Sequence, residues 1–146
     1  MSDDRTSDRV KVRFNLQADD DSWPPVESEG LWAEPIGGDE YRVDNTPWFV
    51  QGVAADDVVR ALAGSDGVLW AIAPVRWSGR LTIRVIPRAD GQLRGDRQAV
   101  LDTFGAHGVT GEGIEQYGMV ALDIPADADF PYLKSLLVAG EADGRW

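Results

Sequence analysis

At 146 residues, 43% of them apolar, the chain suits one ordinary domain or two small subdomains and is too apolar for global disorder. It contains no cysteine, which excludes disulfides, thiolate metal sites and a cysteine nucleophile, and no apolar run is long enough to span a membrane. A formal charge of −11 argues against nucleic acid or an anionic membrane as partner.

The polar start, Met1–Asp8, has no basic-then-apolar leader pattern, so residues 1–9 read as a disordered N-terminus and the protein as cytoplasmic. Val10–Leu16 alternates apolar and polar residues and predicts a half-buried strand. Asp19-Asp20-Asp21-Ser22-Trp23-Pro24-Pro25 is a loop; it lacks the glycine and the distal glutamate of a calcium-binding hand. Gly30–Ile36 and Glu40–Val43 predict a hairpin around Gly37-Gly38-Asp39. In Tyr41–Phe49 a strand runs into Asp44-Asn45, the chain turns at Asn45-Thr46-Pro47, and Trp48 and Phe49 would point to opposite faces of a resumed strand. Val58–Leu62 and Val68–Ile72 flank Ser65-Asp66-Gly67 as a second hairpin, with a helix over 55–62 as the competing assignment. Trp77-Ser78-Gly79 turns the chain into a strand over Leu81–Ile86.

Beyond that point the period lengthens. Asp96 can cap a helix whose apolar face holds Val100, Leu101 and Phe104 and which Gly105 or Gly108 can end. Glu112–Glu115 and Met119–Ile124 predict strands joined around Tyr117-Gly118. Asp129 can cap a last helix with Pro131 in its first turn, Leu133, Leu136 and Leu137 inward, and Gly140 as the stop. The fold class expected is α+β: a small barrel-like antiparallel β subdomain over 10–78, then a ferredoxin-like β-α-β-β-α subdomain over 79–146 that lacks its final strand. The chain ends abruptly at Gly144-Arg145-Trp146, which would fit a missing terminal segment.

Catalytic patterns are sparse. His107 is the one histidine and sits where a helix finishes, so no histidine metal cluster can form, and neither a metal nor a cofactor is expected. Ser78 is flanked by Arg76 and Arg80 where a nucleophile elbow needs glycines. Gly108–Gly113 has Gln116 in place of the last glycine of a dinucleotide fingerprint and enters a strand. Asp44, Asp56, Asp57, Glu112 and Glu115 remain as carboxylates that folding would have to bring together for acid–base work.

Charge and aromatics carry more. Residues 1–40 hold eleven acids against four bases, whereas residues 74–104 carry six arginines (76, 80, 84, 88, 94 and 97) against Asp90, Asp96 and Asp102. Those arginines either pair internally across a sheet face or form an anion or acidic-partner site. Of six tryptophans, Trp32, Trp48, Trp70 and Trp77 lie on or beside strands of the first half, where they would fill the barrel core, with one or two left to line a groove.

Leu31-Trp32, Tyr41-x-Val43-Asp44-Asn45-x-Pro47-Trp48-Phe49, Asp57-Val58 and Ser78-Gly79-x-x-Thr82-x-Arg84 together resemble a bacterial family catalogued only as a domain of unknown function. In that family the aromatic pair after the proline is usually Phe-Tyr or similar, so Trp48-Phe49 is a variant. The resemblance covers about residues 10–146 and implies no activity, cofactor or catalytic residue. It groups Asn45, Pro47, Asp57, Ser78, Thr82 and Arg84 as one constellation.

The first expectation is therefore a non-catalytic acidic protein, of immunity or regulatory type, that recognises another protein, itself basic, by steering and aromatic anchors. The site residues expected are Asp44, Asn45, Trp48, Phe49, Arg76, Ser78, Arg80 and Arg84. A sensor or carrier holding a small anionic ligand between the two halves is the alternative. A hydrolase using carboxylates or Ser78 is third.

Overall fold

Alternation decides the first strand. In β1, Val10–Asn15, Val12 and Phe14 are buried while Lys11 and Asn15 face solvent, the two-residue period of a half-buried strand. The chain continues as β2 (Ser28–Gly37), β3 (Glu40–Val43), β4 (Val58–Ala63) and β5 (Leu69–Arg76). These elements come from a computed structural model that describes residues 9–146; the disorder expected over 1–9 falls, Arg9 apart, outside the described residues.

The five strands form a closed barrel, and the described residues up to Arg80 make up one compact unit. Each strand pairs antiparallel with the next, but β1 and β5 close the ring in parallel, Val12 opposite Leu69 and Arg13 opposite Trp70. That corrects the wholly antiparallel expectation: an up-and-down path of five strands brings the first and last to the seam running the same way. The β4–β5 hairpin turns where the Asp-Gly pair predicts. Gly67 takes a φ of 80° and the Asp66 carboxylate accepts the Val68 N–H at 3.0 Å.

Val12, Phe14, Leu31, Ala33, Val43, Val50, Val59 and Ala61 fill this unit's core. No tryptophan is buried, contrary to the expected core-filling role; Trp23, Trp32 and Trp77 are 37%, 40% and 65% exposed. The buried positions of so narrow a barrel are mostly valine and alanine, with Phe14 and Leu31 the largest, which leaves little room for an indole.

Leu81–Trp146 forms the second unit. It runs β6 (Leu81–Val85), α1 (Arg97–Gly105), β7 (Thr110–Ile114), β8 (Met119–Ile124) and α2 (Phe130–Ala142). The strands pair antiparallel in the order β6-β8-β7. Both helices start where the carboxylates predict: Asp96 accepts the Ala99 N–H and Asp129 accepts the Tyr132 N–H, each at 3.2 Å. Val85, Val100, Phe104, Val109, Val120, Leu122, Ile124 and Leu133 form its core.

Gly140 does not stop α2, which continues to Ala142. Its missing side chain serves packing instead, because a Cβ there would collide with the Trp146 ring. That indole donates to the Leu137 carbonyl at 2.9 Å and lies 5.8 Å from the Phe104 ring, centroid to centroid. The architecture is thus mixed α and β: a closed five-stranded barrel, and a second small sheet with two helices. Among the described residues no helix is long and apolar enough to cross a membrane.

Candidate recognition site

The backbone from Asp44 to Asp57 forms no strand. Trp48 and Phe49 therefore do not alternate across a sheet as expected; they sit, half-buried, in a loop. The loop is closed at its base, where the Val43 N–H donates to the Asp57 carbonyl at 2.8 Å and the Asp56 N–H returns to the Val43 carbonyl at 2.7 Å.

Its first corner is built by Asn45. The Asn45 side-chain carbonyl accepts the Trp32 N–H at 2.6 Å, and the Asp44 N–H donates to the Trp32 carbonyl at 2.8 Å. A side chain thus prolongs the β2–β3 ladder beyond the last strand residue. Asp44 faces Arg9, with 3.0 Å between carboxylate and guanidinium. Pro47 is fully buried.

Glu29 organises the segment after Pro47. It lies on β2 in register with buried Leu31 and Ala33 and is 8% exposed. Its carboxylate accepts three backbone N–H groups: Trp48 at 2.6 Å through Oε2, and Phe49 and Val50 at 2.9 and 3.0 Å through Oε1. Three consecutive donors of a non-repetitive loop are thus satisfied by one charge, which braces the backbone under both aromatics. Phe49 meets Trp23 in a T-shaped contact, 5.6 Å between ring centroids.

Asp57, 6% exposed, does the same at the other end of the loop. Oδ2 accepts the Ala54 N–H at 3.0 Å and Oδ1 accepts the Ser78 N–H at 2.9 Å. The Ser78 hydroxyl donates to the Ala55 carbonyl at 2.9 Å and accepts the Arg80 N–H at 3.1 Å; Arg80 pairs with Asp56, also at 3.1 Å. A serine whose proton rests on a carbonyl, beside a carboxylate occupied on both oxygens, is arranged as a brace.

The expected residues fall in different hydrogen-bond networks and elements. Asp44, Asn45, Trp48 and Phe49 belong to the corner near Glu29, whereas Ser78 and Arg80 belong to the brace around Asp57. Arg76 ends β5, exposed, opposite Val58. Thr82 and Arg84 lie on β6 of the second unit, opposite Asp123 and Ala121. Glu112 and Glu115 are exposed in that unit. Among the described residues no three His, Cys, Asp or Glu side chains gather as a metal shell. Glu29 escaped sequence reasoning, although the alternation Glu29, Leu31, Ala33 along β2 places a carboxylate inward and carries the signal.

Beside the corner, Asn15, Leu16, Gln17, Asp19, Trp23, Pro24, Phe49, Val50 and Gln51 line a cavity of about 350 Å3. Its far wall is stiff too: Asp19 Oδ1 accepts the Asp21 and Trp23 N–H groups at 2.9 and 3.0 Å, and the Asp19 N–H donates to the Trp23 carbonyl at 2.7 Å.

Residues 29–146 match the family described as a domain of unknown function, DUF4265. The chain belongs to that family. In this DUF4265 protein the match opens on Glu29 itself, so the corner and the brace fall inside it while the Asp19–Trp23 loop precedes it. The crystal structure of a hypothetical protein from Neisseria gonorrhoeae is similar at 18% identity, covering 94% of this chain and 89% of that one with a TM-score of 0.76, a likeness of fold alone. Comparison with curated proteins returns no match.

Proposed function

We propose that this DUF4265 protein is a non-catalytic binding protein that recognises a basic protein partner through the corner around Trp48 and Phe49. The observation that carries the reading is the Glu29 clamp, one buried carboxylate holding three consecutive N–H groups. A loop fixed before binding loses little conformational freedom on binding, which favours a role in presentation. The acidic stretch Asp19-Asp20-Asp21 beside the Trp23–Phe49 pair and the net charge of −11 suit a basic surface, speeding encounter through long-range attraction. A bacterial cytoplasm is the setting this reading implies. The second unit fits a ferredoxin-like β-α-β-β-α half without its fourth strand, on the strength of its order β6-β8-β7 and its two helices.

Affinity capture with the purified protein tests the function. The expected result is one basic protein in stoichiometric amount, released by added salt and lost with Trp48→Ala. Recovery of nothing at low salt, or of a set of proteins indifferent to Trp48→Ala, would overturn it.

A further inference from the structure

The cavity beside the corner has a chemistry of its own. Two of its walls are the rings of Trp23 and Phe49, set edge to face at 75°. The polar residues that line it are Asp19, whose side chain is a carboxylate, and Asn15, Gln17 and Gln51, whose side chains are carboxamides. No lysine or arginine is among its lining residues. A carboxylate only accepts hydrogen bonds when ionised, and each carboxamide offers an acceptor oxygen. Among the described lining residues an anion would meet Asp19 with no cation to offset it, whereas a cation finds acceptors together with aromatic surface. Asp20 and Asp21, exposed and next to Asp19 in sequence, add to the local negative charge.

Size and rigidity agree. A volume of about 350 Å3 lies at the small end of ligand pockets, enough for one long side chain. One wall is held by Glu29, the opposite one by the Asp19 carboxylate closing its own loop. Asp19 Oδ1 is taken by two backbone donors, and among the described residues none donates to Oδ2, which can accept from a ligand.

We infer that this cavity receives a guanidinium-bearing side chain, an arginine of the basic partner, with Trp23 and Phe49 packing against the cation and Asp19, Gln17 and Gln51 accepting its N–H donors. Arginine is favoured over lysine because a planar group with five donors can engage several spread acceptors while stacking on a ring. The inference deepens the protein-binding reading and rests on it for the origin of the arginine.

N-acetyl-arginine amide titrated into the 15N-labelled protein provides the test, with the N-acetyl-citrulline amide isostere as the uncharged control. Arginine should shift the Trp23 indole and the backbone amides of Phe49, Val50 and Gln51, with a Kd on the order of millimolar for so small a ligand. Citrulline should leave them in place. Trp23→Ala should weaken the arginine effect about tenfold, and Gln51→Ala severalfold in a background that keeps both rings. Equal shifts from citrulline, or arginine shifts scattered over the acidic surface, would overturn the inference. Localised arginine binding in a protein that captures no partner would uphold the pocket and sink the protein-recognition reading. A captured partner whose affinity is indifferent to Trp23→Ala and Gln51→Ala would do the reverse.

Discussion

Glu29 makes one acid answerable for three backbone donors, and the two oxygens divide the work: Oε2 takes Trp48, Oε1 takes Phe49 and Val50. Glu29→Gln keeps the shape but puts an NH2 against at least one of those donors. Equilibrium denaturation should show a loss of about 2 to 3 kcal/mol, the cost of buried donors left facing no acceptor. A change below about 0.5 kcal/mol, the scale of an ordinary surface substitution, would mean the clamp does not hold the loop. Ser78→Ala removes a hydroxyl that joins Ala55 to Arg80, and should cost about 1 kcal/mol by the same measurement. Trp77 behaves differently: its indole N–H reaches the Arg80 carbonyl at 2.7 Å but the side chain is 65% exposed, so Trp77→Ala should cost no more than about 1 kcal/mol.

Among the elements, α2 carries the sharpest contrast between a local and a long-range demand. Alanine is the better helix former by about 1 kcal/mol, so Gly140→Ala in an isolated helix would stabilise it. Here the added methyl meets the Trp146 ring, so the thermal midpoint should fall, and Trp146→Ala in the same chain should remove most of that penalty. A rise in the midpoint for the single substitution would show that Trp146 does not seat on the helix. In the barrel, Asp39 accepts from Arg60 of β4 at 2.8 Å, and this contact holds its carboxyl below the usual carboxylate range. A carboxylate depressed in the folded state contributes stability above its unfolded value, and that contribution disappears as pH falls through the lower folded value. The difference between wild type and Asp39→Asn in urea denaturation should therefore shrink below about pH 4. The pair is exposed, so the effect should be small and weaken with salt.

What could be read in advance divides along the same line. Val12 and Phe14 alternate with polar neighbours, and Asp96 and Asp129 stand one residue before a helical period, so those elements were legible from local chemistry. Gly140 looked like a stop because glycine usually is one; the ring that requires it comes from Trp146, whose return onto the helix no local pattern announces. Of the corner, Asn45 and Pro47 were legible as turn formers, but the acid that holds the loop lies on β2. An inward glutamate looks like a lapse in a strand until its partners are known. The parallel seam between β1 and β5 comes from barrel closure, which alternation alone does not reveal.

On the scale of the whole molecule, the charge of −11 and the corner act at different ranges. The net charge works through solvent over roughly a Debye length, about 10 Å at 0.1 M salt, and in the proposed recognition it governs how fast a basic partner arrives. In the proposed recognition, Phe49 and Trp23 act at contact and govern how long it stays. The two contributions are separable in one measurement: a calorimetric titration of the captured partner into wild-type and Phe49→Ala protein at low and at moderate salt. Phe49→Ala should raise Kd at least about tenfold at both salt concentrations, since a central aromatic anchor costs this much or more. Added salt should weaken both proteins alike, and Val138→Ser, on the exposed side of α2, should bind as wild type does. A Kd that Phe49→Ala leaves unchanged, or that Val138→Ser alters as much, would contradict recognition through the corner.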